Sequence, residues 1–431
     1  MSEVLTSPWA PTLVLMCVAI AARFFQRSWF APSVFAPAIW FGYLFLPLAL
    51  APEYRVSSLA VWLIVLLIAC VTIGAVLAET QVPKHFSNRV PAAAARPMLR
   101  MTLALSMLSM LGAAYSAYGA LTQYGLDSSV SGLLAVGHLL SVERYAGEQT
   151  PFLVRVLVTW TFPAALLGGM SFAIASSRRA RVLCFAPLLP AIAFSFVQAA
   201  KANTLIAIVL GVSGFLAMRN MSVTVATRQK RTALITLATF LAAGLSFFFA
   251  VDTLRSHTQK QNGLELQSDF GRAKSTAVGY LSVFSYWVGR PDGLNSIHLD
   301  FGEYTFGGLL QAAGLGKREV GIYADMVAVG SDDSNIYTAF RGLVEDFTPV
   351  GAALVCVFAG FVSGRAYSRY CRDSIWQLLI LIGFYGFLVW SPIGSLFVYN
   401  GPILALIVAA VVMKRVERSL PPISVKRAEA L

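Results

Sequence analysis

Long apolar segments recur along most of this 431-residue chain. Every backbone N–H and C=O group inside a lipid bilayer must be hydrogen-bonded within the protein. An apolar segment of about 20 residues is therefore expected to cross the bilayer as an α-helix. About eleven such spans are predicted, at residues 9–22, 30–50, 58–78, 101–121, 152–175, 182–199, 203–218, 233–251, 349–364, 375–391 and 396–413. The pattern predicts an all-α fold, a polytopic helical bundle in a membrane.

The composition and the motifs exclude most classes of soluble enzyme. Hydrophobic residues make up 57% of the chain and charged residues 13%, whereas soluble domains have roughly 45–50% and 25%. The sequence contains no nucleotide-binding P-loop, no HExxH and no GxSxG. These motifs mark nucleotide, zinc and acyl-serine chemistry. We therefore expect no metal and no cofactor.

The positive charge of the chain follows the predicted topology. The chain has 33 Lys and Arg against 21 Asp and Glu, a formal net charge of +12. The basic residues collect in every second connection between predicted spans, as cytoplasmic connections do. This places the N-terminus outside, the C-terminus in the cytoplasm, and a net acidic surface outside. The basicity is therefore a topology signal, and we expect no nucleic-acid partner.

The connection at residues 252–347 is far longer than the other connections between predicted spans. A loop this long within a compact architecture is usually functional. Its amphipathic, aromatic-rich stretches at 277–289 and 304–315 predict short helices at the membrane face. The predicted parts of the chain are a membrane bundle of about eight spans (1–251), a large outer loop (252–347), three last spans (348–413) and a basic cytoplasmic tail (414–431).

Several ionisable residues on the outer side are candidates for binding an anion. Planar guanidinium groups bind phosphate or diphosphate through two parallel hydrogen bonds. Arg290, Arg341 and Asp346 are surrounded by apolar or aromatic residues, where an idle charge is costly. For any single loop charge, a solvated side chain or a headgroup anchor is the alternative, and Lys201 can equally extend to the interface. Further basic candidates are Arg255, Arg272 and Lys201.

Three motifs in the outer loop carry a resemblance. The segments are YLSVFSYWVGRPDGLN, FGEYTFGGLLQAAGLG and SNIYTAFRGLVEDFTPVGA. Together they resemble the Wzy-type oligosaccharide repeat-unit polymerases of bacteria, which make O-antigen or exopolysaccharide. Thr348 stands where that family usually has Gly, and Leu294 where an aromatic residue is common. The matching residues are Tyr286, Gly289 and Asn295; Gly302, Thr305 and Phe306; and Asn335, Tyr337, Thr338, Arg341, Asp346, Phe347 and Gly351.

The resemblance implies an activity and a location. Members of the family are similar to integral-membrane glycosyltransferases of GT-C-like architecture, working at the periplasmic face of the bacterial inner membrane. They join oligosaccharide units that are linked to a polyprenyl diphosphate. The lipid-linked oligosaccharide is both donor and acceptor, and the lipid diphosphate of the donor is the leaving group. The expected partners are membrane lipids, a chain-length regulator and a flippase.

The candidate residues take roles in that chemistry. We expect Arg255, Arg290 and Arg341 to hold the diphosphate, with Arg272 and Lys201 in support, since positive groups stabilise the charge that builds on the leaving oxygen. Asp346 and His298 are candidate general bases for the acceptor hydroxyl, and Asp346 alternatively orients Arg341. The residues expected to contact the sugars are Tyr286, Tyr304, Asn335 and Tyr337.

Three other readings stay open at this point. An O-antigen ligase-type transferase shares the architecture and differs in its acceptor. A lipid-linked oligosaccharide flippase or a small-solute transporter is the second, although transporters usually carry inverted repeats and charges at mid-bilayer. The predicted spans hold almost no such charges. A structural membrane protein is the third.

Overall fold

The apolar segments fold into long α-helices in the computed structural model. It describes residues 7–79, 94–129, 132, 135–137, 139–140, 150–198, 200–219, 269–290, 293–294, 299–315, 323, 325–330, 332–369 and 375–419. Among these residues, eight helical segments are long and apolar enough to cross a membrane, and Trp376–Trp390 forms a shorter apolar helix. A multi-pass helical bundle is thus supported. The eight segments are Trp9–Gln26, Pro32–Leu50, Ser58–Glu79, Ala95–Tyr124, Phe152–Ile174, Arg178–Val197, Ala202–Arg219 and Ala339–Ser368.

The predicted spans and the observed helices agree in position along most of the described chain. The span predicted at 233–251 lies outside the described residues, so the number of spans stays a prediction. The span predicted at 396–413 begins later than expected, because Leu396–Val398 forms a 3₁₀ turn and the helix starts at Asn400. The helices are α1 (Trp9–Gln26), α2 (Pro32–Leu50), α3 (Ser58–Glu79), α4 (Ala95–Tyr124), α5 (Phe152–Thr159), α6 (Thr161–Ile174), α7 (Arg178–Leu183), α8 (Leu188–Val197), α9 (Ala202–Arg219), α10 (Asp269–Val278), α11 (Tyr280–Gly289), α12 (Glu303–Ala312), α13 (Ala339–Arg369), α14 (Ile375–Trp390) and α15 (Asn400–Ser419).

The predicted outer loop contains short helices and one small sheet. The stretches expected to be helical lie in α10, α11 and α12. Most side chains of α11 are buried, and it packs against α3 and the sheet. It is therefore a core element of its unit, and its expected position at the membrane face stays a prediction. Within the described residues, the sheet is the one departure from an all-α fold: an antiparallel pair of β1 (Val327–Val329) and β2 (Asp332–Ser334) with Ala328 opposite Asp333.

The contacts divide the chain into two compact units, neither continuous in sequence. The division into bundle, loop, last spans and tail concerns topology and stays a prediction. The first unit comprises Met1–Val82, Glu265–Ser368 and Gly386–Asn400; the second comprises Pro83–Leu264, Arg369–Tyr385 and Gly401–Leu431. The candidate residues Arg290, Arg341 and Asp346 all belong to the first unit, which therefore holds most of the described site.

In the first unit, glycines let α3 and α13 pack backbone to backbone. A Cβ atom at Gly360 would lie 2.0 Å from the carbonyl oxygen of Val71, and one at Gly364 would lie 2.5 Å from that of Ala75. Such close approach is typical of small residues spaced four apart in membrane helices, where van der Waals contact drives association. The contact fixes the second half of α13 against α3.

In the second unit, α6 and α9 pack in a similar way. A Cβ atom at Gly169 would lie 1.8 Å from the carbonyl oxygen of Gly211. Buried hydroxyl groups link neighbouring helices there, with Ser109 bonded to Thr161. Because a bilayer offers such groups no water, pairing between helices is the way to satisfy them.

Helix α13 contains a sharp backbone break at Thr348. This residue has φ 63° and ψ 166°, a region that only glycine adopts without strain. Pro349 follows at the first position of the new helical segment, where its missing N–H group costs nothing. The Thr348 hydroxyl oxygen accepts a hydrogen bond of 3.3 Å from the Gly351 N–H group, as a helix N-cap does. The break coincides with the predicted boundary between the outer loop and the following span.

The strain at Thr348 gives a stability prediction. Thr348→Gly should raise the free energy of unfolding by about 1 kcal/mol, because it removes the strain at little cost to the cap. Thr348→Ala should lower it by about 1 kcal/mol, since the strain stays and the capping bond is lost. Thermal unfolding of the purified protein in detergent measures both. A Thr348→Gly variant that melts below the wild type would contradict the assigned backbone conformation.

Candidate functional site

The first turns of α13 carry the candidate charges, and backbone contacts fix where the helix begins. The Ala339 N–H group donates a 2.7 Å hydrogen bond to the Ser391 carbonyl oxygen. The adjacent Phe340 ring packs against the buried Trp40, with ring centroids 4.8 Å apart. The Trp40 indole N–H donates to the Ser391 hydroxyl oxygen at 3.0 Å. The start of α13 is thus held by α2 and by the end of α14.

Arg341 is buried between two aromatic rings. Its residue is 7% exposed, and its Cζ atom lies 3.9 Å from the Tyr323 ring centroid and 4.0 Å from that of Tyr337. A third ring, Trp287, lies 5.6 Å away. Contacts between a guanidinium group and aromatic faces contribute about 2 kcal/mol or more when desolvated. The rings therefore stabilise a charge that would be costly in an apolar environment.

Four charged side chains form one ion-pair network around Arg341. Its Nε donates to Glu345 Oε1 at 2.8 Å, and its Nη2 contacts Asp325 Oδ2 at 3.3 Å. The same Asp325 oxygen contacts Arg290 Nη1 at 3.4 Å. Side-chain exposure rises from 8% at Arg341 and 15% at Glu345 to 34% at Arg290 and 48% at Asp325. The network therefore runs from the interior to the surface and places two guanidinium groups on one exposed carboxylate.

A tyrosine cluster lines the buried side of this network. The Tyr304 and Tyr323 rings stack with centroids 5.2 Å apart, and Tyr337 meets Tyr323 edge to face at 4.9 Å. Burial raises the pKa of Tyr323 well above its ordinary value, so its hydroxyl group stays neutral. Gly342 permits this packing, since a Cβ atom there would lie 3.0 Å from Tyr304 Cβ. The Asn335 amide donates to the Tyr323 carbonyl oxygen at 3.0 Å, and this hydrogen bond fixes the backbone of Tyr323.

Asp346 binds the N-terminus of α12. Its carboxylate oxygens accept hydrogen bonds from the backbone N–H groups of Tyr304, at 3.1 Å, and Thr305, at 2.7 Å. These amides belong to the first turn of α12, where backbone N–H groups lack helical partners and attract negative charge. Gly302 precedes the helix with φ 97°, a value suited to glycine. The fully buried Asp346 therefore caps α12 and fastens it to α13.

The other residues predicted from the sequence to bind substrate or act in catalysis lie in several different places. Tyr286 is 53% exposed and stacks under Arg290, whose Cζ lies 5.7 Å from the ring, while Tyr337 is buried beneath Arg341. Lys201 precedes α9 in the second unit, whereas the residues of the network belong to the first. Arg272 lies in α10, but its side chain is not among those described, and Arg255 and His298 lie outside the described residues.

Sequence reasoning missed three members of the site. The sequence did not distinguish Glu345 from the other acidic residues of the outer loop. Its spacing of four residues from Arg341 is nevertheless the spacing of ion pairs within a helix. Tyr323 and Asp325 come from a different stretch of chain, and the sequence carries no signal for their approach. No group of three His, Cys, Asp or Glu side chains in the described part of the chain is arranged to hold a metal ion.

Several buried polar atoms at the start of α13 have no hydrogen-bond partner among the described residues. They are Thr338 Oγ1, Arg341 Nη1 and Glu345 Oε2. Buried polar atoms in native proteins are nearly always paired, with protein or with ordered water. A cluster of unpaired atoms around one arginine therefore indicates a place that can receive polar groups from outside the chain.

Comparison with known proteins adds no relative to this description. No protein-family model matches the chain. Searches of the curated proteins and of the solved structures gave no match either. The candidate site is accordingly defined by the geometry and chemistry of its own residues.

The capping role of Asp346 gives a prediction about stability. Asp346→Ala should lower the free energy of unfolding by roughly 2–4 kcal/mol, because it removes two charge-assisted hydrogen bonds and leaves buried amides unpaired. It should also speed backbone hydrogen exchange in α12. Asp333→Ala is the matched control, since Asp333 is exposed and should change stability by less than about 0.5 kcal/mol. Equal melting temperatures for both variants would contradict the role.

Proposed function

We propose that the chain is an integral-membrane glycosyltransferase that polymerises oligosaccharide units carried on a polyprenyl diphosphate. The observation that carries the proposal is the convergence of Arg290 and Arg341 on one oxygen of Asp325, at 3.4 and 3.3 Å. Two guanidinium groups that share one carboxylate can also share a diphosphate, which offers more negative charge and more acceptor oxygens.

The exposure of the network supports exchange of its counterion. Asp325 is about half exposed, and its contacts of 3.3 and 3.4 Å are longer than those of a strong charge-assisted hydrogen bond. The pair of Arg290 with Asp325, which is open to solvent on both sides, contributes about 0–1 kcal/mol. An entering diphosphate can therefore displace Asp325 from Arg290 at small cost, and its own negative charge replaces that of Asp325 beside the buried Arg341. In the transfer step the arginines stabilise the charge that builds on the departing diphosphate oxygen.

The surroundings supply the other needs of such a substrate. Exposed apolar side chains on the long helices give the lipid tail an apolar surface to lie against. The exposed Tyr286 ring, next to Arg290, offers a flat face to a sugar. The resemblance of the outer loop to Wzy-type polymerases adds the expectation of a GT-C-like architecture. We propose the bacterial inner membrane as the location, with a periplasmic site, a periplasmic N-terminus, a cytoplasmic C-terminus, and a chain-length regulator and a flippase as partners.

A gene deletion tests the activity. The source organism without this gene should carry single repeat units on its surface in place of long glycan chains, and the wild-type gene should restore the long chains. Gel analysis of the surface glycan measures the chain length. Loss of single units as well would indicate a ligase or a flippase, and an unchanged glycan would contradict a role in its assembly.

An arginine substitution tests the site. Arg341→Lys keeps the charge but loses the planar fork and its ring contacts. It should therefore reduce long-chain glycan by roughly 100-fold or more, at normal protein level. Arg178→Lys is the matched control, because Arg178 is exposed on α7 in the second unit. Long chains at wild-type yield from Arg341→Lys would remove this residue from the site.

A further inference from the structure

Three carboxylates, those of Asp325, Glu345 and Asp346, belong to this part of the first unit, and their oxygen atoms are engaged to different degrees. Both oxygens of Asp346 accept backbone N–H groups of α12. Asp325 is half exposed and holds both Arg290 and Arg341 through one oxygen. Glu345 holds Arg341 through Oε1, while its Oε2 is buried and has no hydrogen-bond partner among the described residues.

A second buried atom of the network, on Arg341, also has no described partner. Arg341 Nη1 is also buried without a described partner, and the two side chains are joined by the 2.8 Å bond between Nε and Oε1. A diphosphate has only acceptor atoms at neutral pH, so it would satisfy Arg341 and repel Glu345. A hydroxyl group can donate a hydrogen bond, and it is the sugar group that an unpaired carboxylate oxygen can receive.

We propose that Glu345 is the general base that receives the proton of the acceptor hydroxyl, an inference that rests on the proposed function. A base must lie within hydrogen-bonding reach of the proton it takes. The bond from Arg341 to Oε1 holds the Glu345 side chain and leaves Oε2 without a described partner. Asp346 cannot take this role without giving up a cap of α12, and Asp325 serves as the exchangeable counterion of the arginines.

The transfer step balances with the groups present. As the acceptor O–H bond breaks, its proton passes to Glu345 Oε2, and the acceptor oxygen forms a bond to the anomeric carbon of the donor sugar. The bond from that carbon to the diphosphate oxygen breaks, and its electron pair leaves with the lipid diphosphate. Arg290 and Arg341 stabilise the departing charge. Glu345 afterwards returns its proton to water.

Matched substitutions at Glu345 test the inference. Glu345→Gln keeps the size and the acceptor bond to Arg341 but removes the base, and it should lower the polymerisation rate by about 100-fold or more. Glu345→Asp keeps a carboxylate and should retain more activity than Glu345→Gln. Glu303→Gln makes the same chemical change at an exposed position of α12 and should leave the rate unchanged. The rate is measured as incorporation of labelled sugar into long glycan by membranes from the source organism.

The pH profile separates a base from a structural residue. Wild-type activity should fall at low pH as the base becomes protonated, Glu345→Asp should move this limb, and the residual activity of Glu345→Gln should lack it. If Glu345→Gln does not accumulate in membranes, the comparison of the wild type with Glu345→Asp decides. An acid limb that stays in place in Glu345→Asp, or a Glu345→Gln variant with wild-type rate, would overturn the inference.

The outcome is distinct from a failure of the proposed function. If deletion of the gene leaves the glycan unchanged, the polymerase proposal fails and the Glu345 inference fails with it. If deletion abolishes long chains and Glu345→Gln restores them fully, the polymerase proposal stands. The unpaired oxygen of Glu345 then holds only a water molecule.

Discussion

A guanidinium group buried beside apolar helices must be compensated, and the compensation of Arg341 organises the polar part of the first unit. Two tyrosine rings cover its faces at about 4 Å, and two carboxylates take its edges. Two further residues position the tyrosine rings. Asn335 fixes the backbone of Tyr323, and Gly342 leaves room for the ring stack. One buried charge thus draws together α11, α13 and the segment before β1.

The break at Thr348 separates this polar cluster from the apolar segment that follows. The residues before it carry the charges, while the residues after it pack against α3 through Gly360 and Gly364. Asp346, two residues before the break, ties α12 to the same region. The charged residues therefore lie directly before the apolar segment of α13. The strained backbone at Thr348 joins the two helical segments of α13 directly, with no loop between them.

The sequence predicted the helices well for a physical reason. In an apolar solvent the backbone has few ways to satisfy its hydrogen bonds, so apolar runs translate directly into helices. Arg290, Arg341 and Asp346 could be selected because a charge among apolar neighbours is costly. The partners of these residues could not be predicted from the sequence. Asp325 and Tyr323 approach through tertiary packing, and the capping role of Asp346 depends on amides about forty residues away. The break at Thr348 was visible only as an unexpected residue within the resemblance.

Direct binding of a lipid diphosphate to the purified protein is the sharpest test of the account. Farnesyl diphosphate serves as the probe, with farnesol as the uncharged comparison. The wild type should bind the diphosphate more tightly than the alcohol, and it should bind the diphosphate less tightly as the salt concentration rises. Arg290→Ala and Arg341→Lys should each weaken binding by about tenfold or more, whereas Arg178→Lys should not. Equal affinity for both probes, or for all these variants, would contradict the claim that these two arginines recognise a diphosphate.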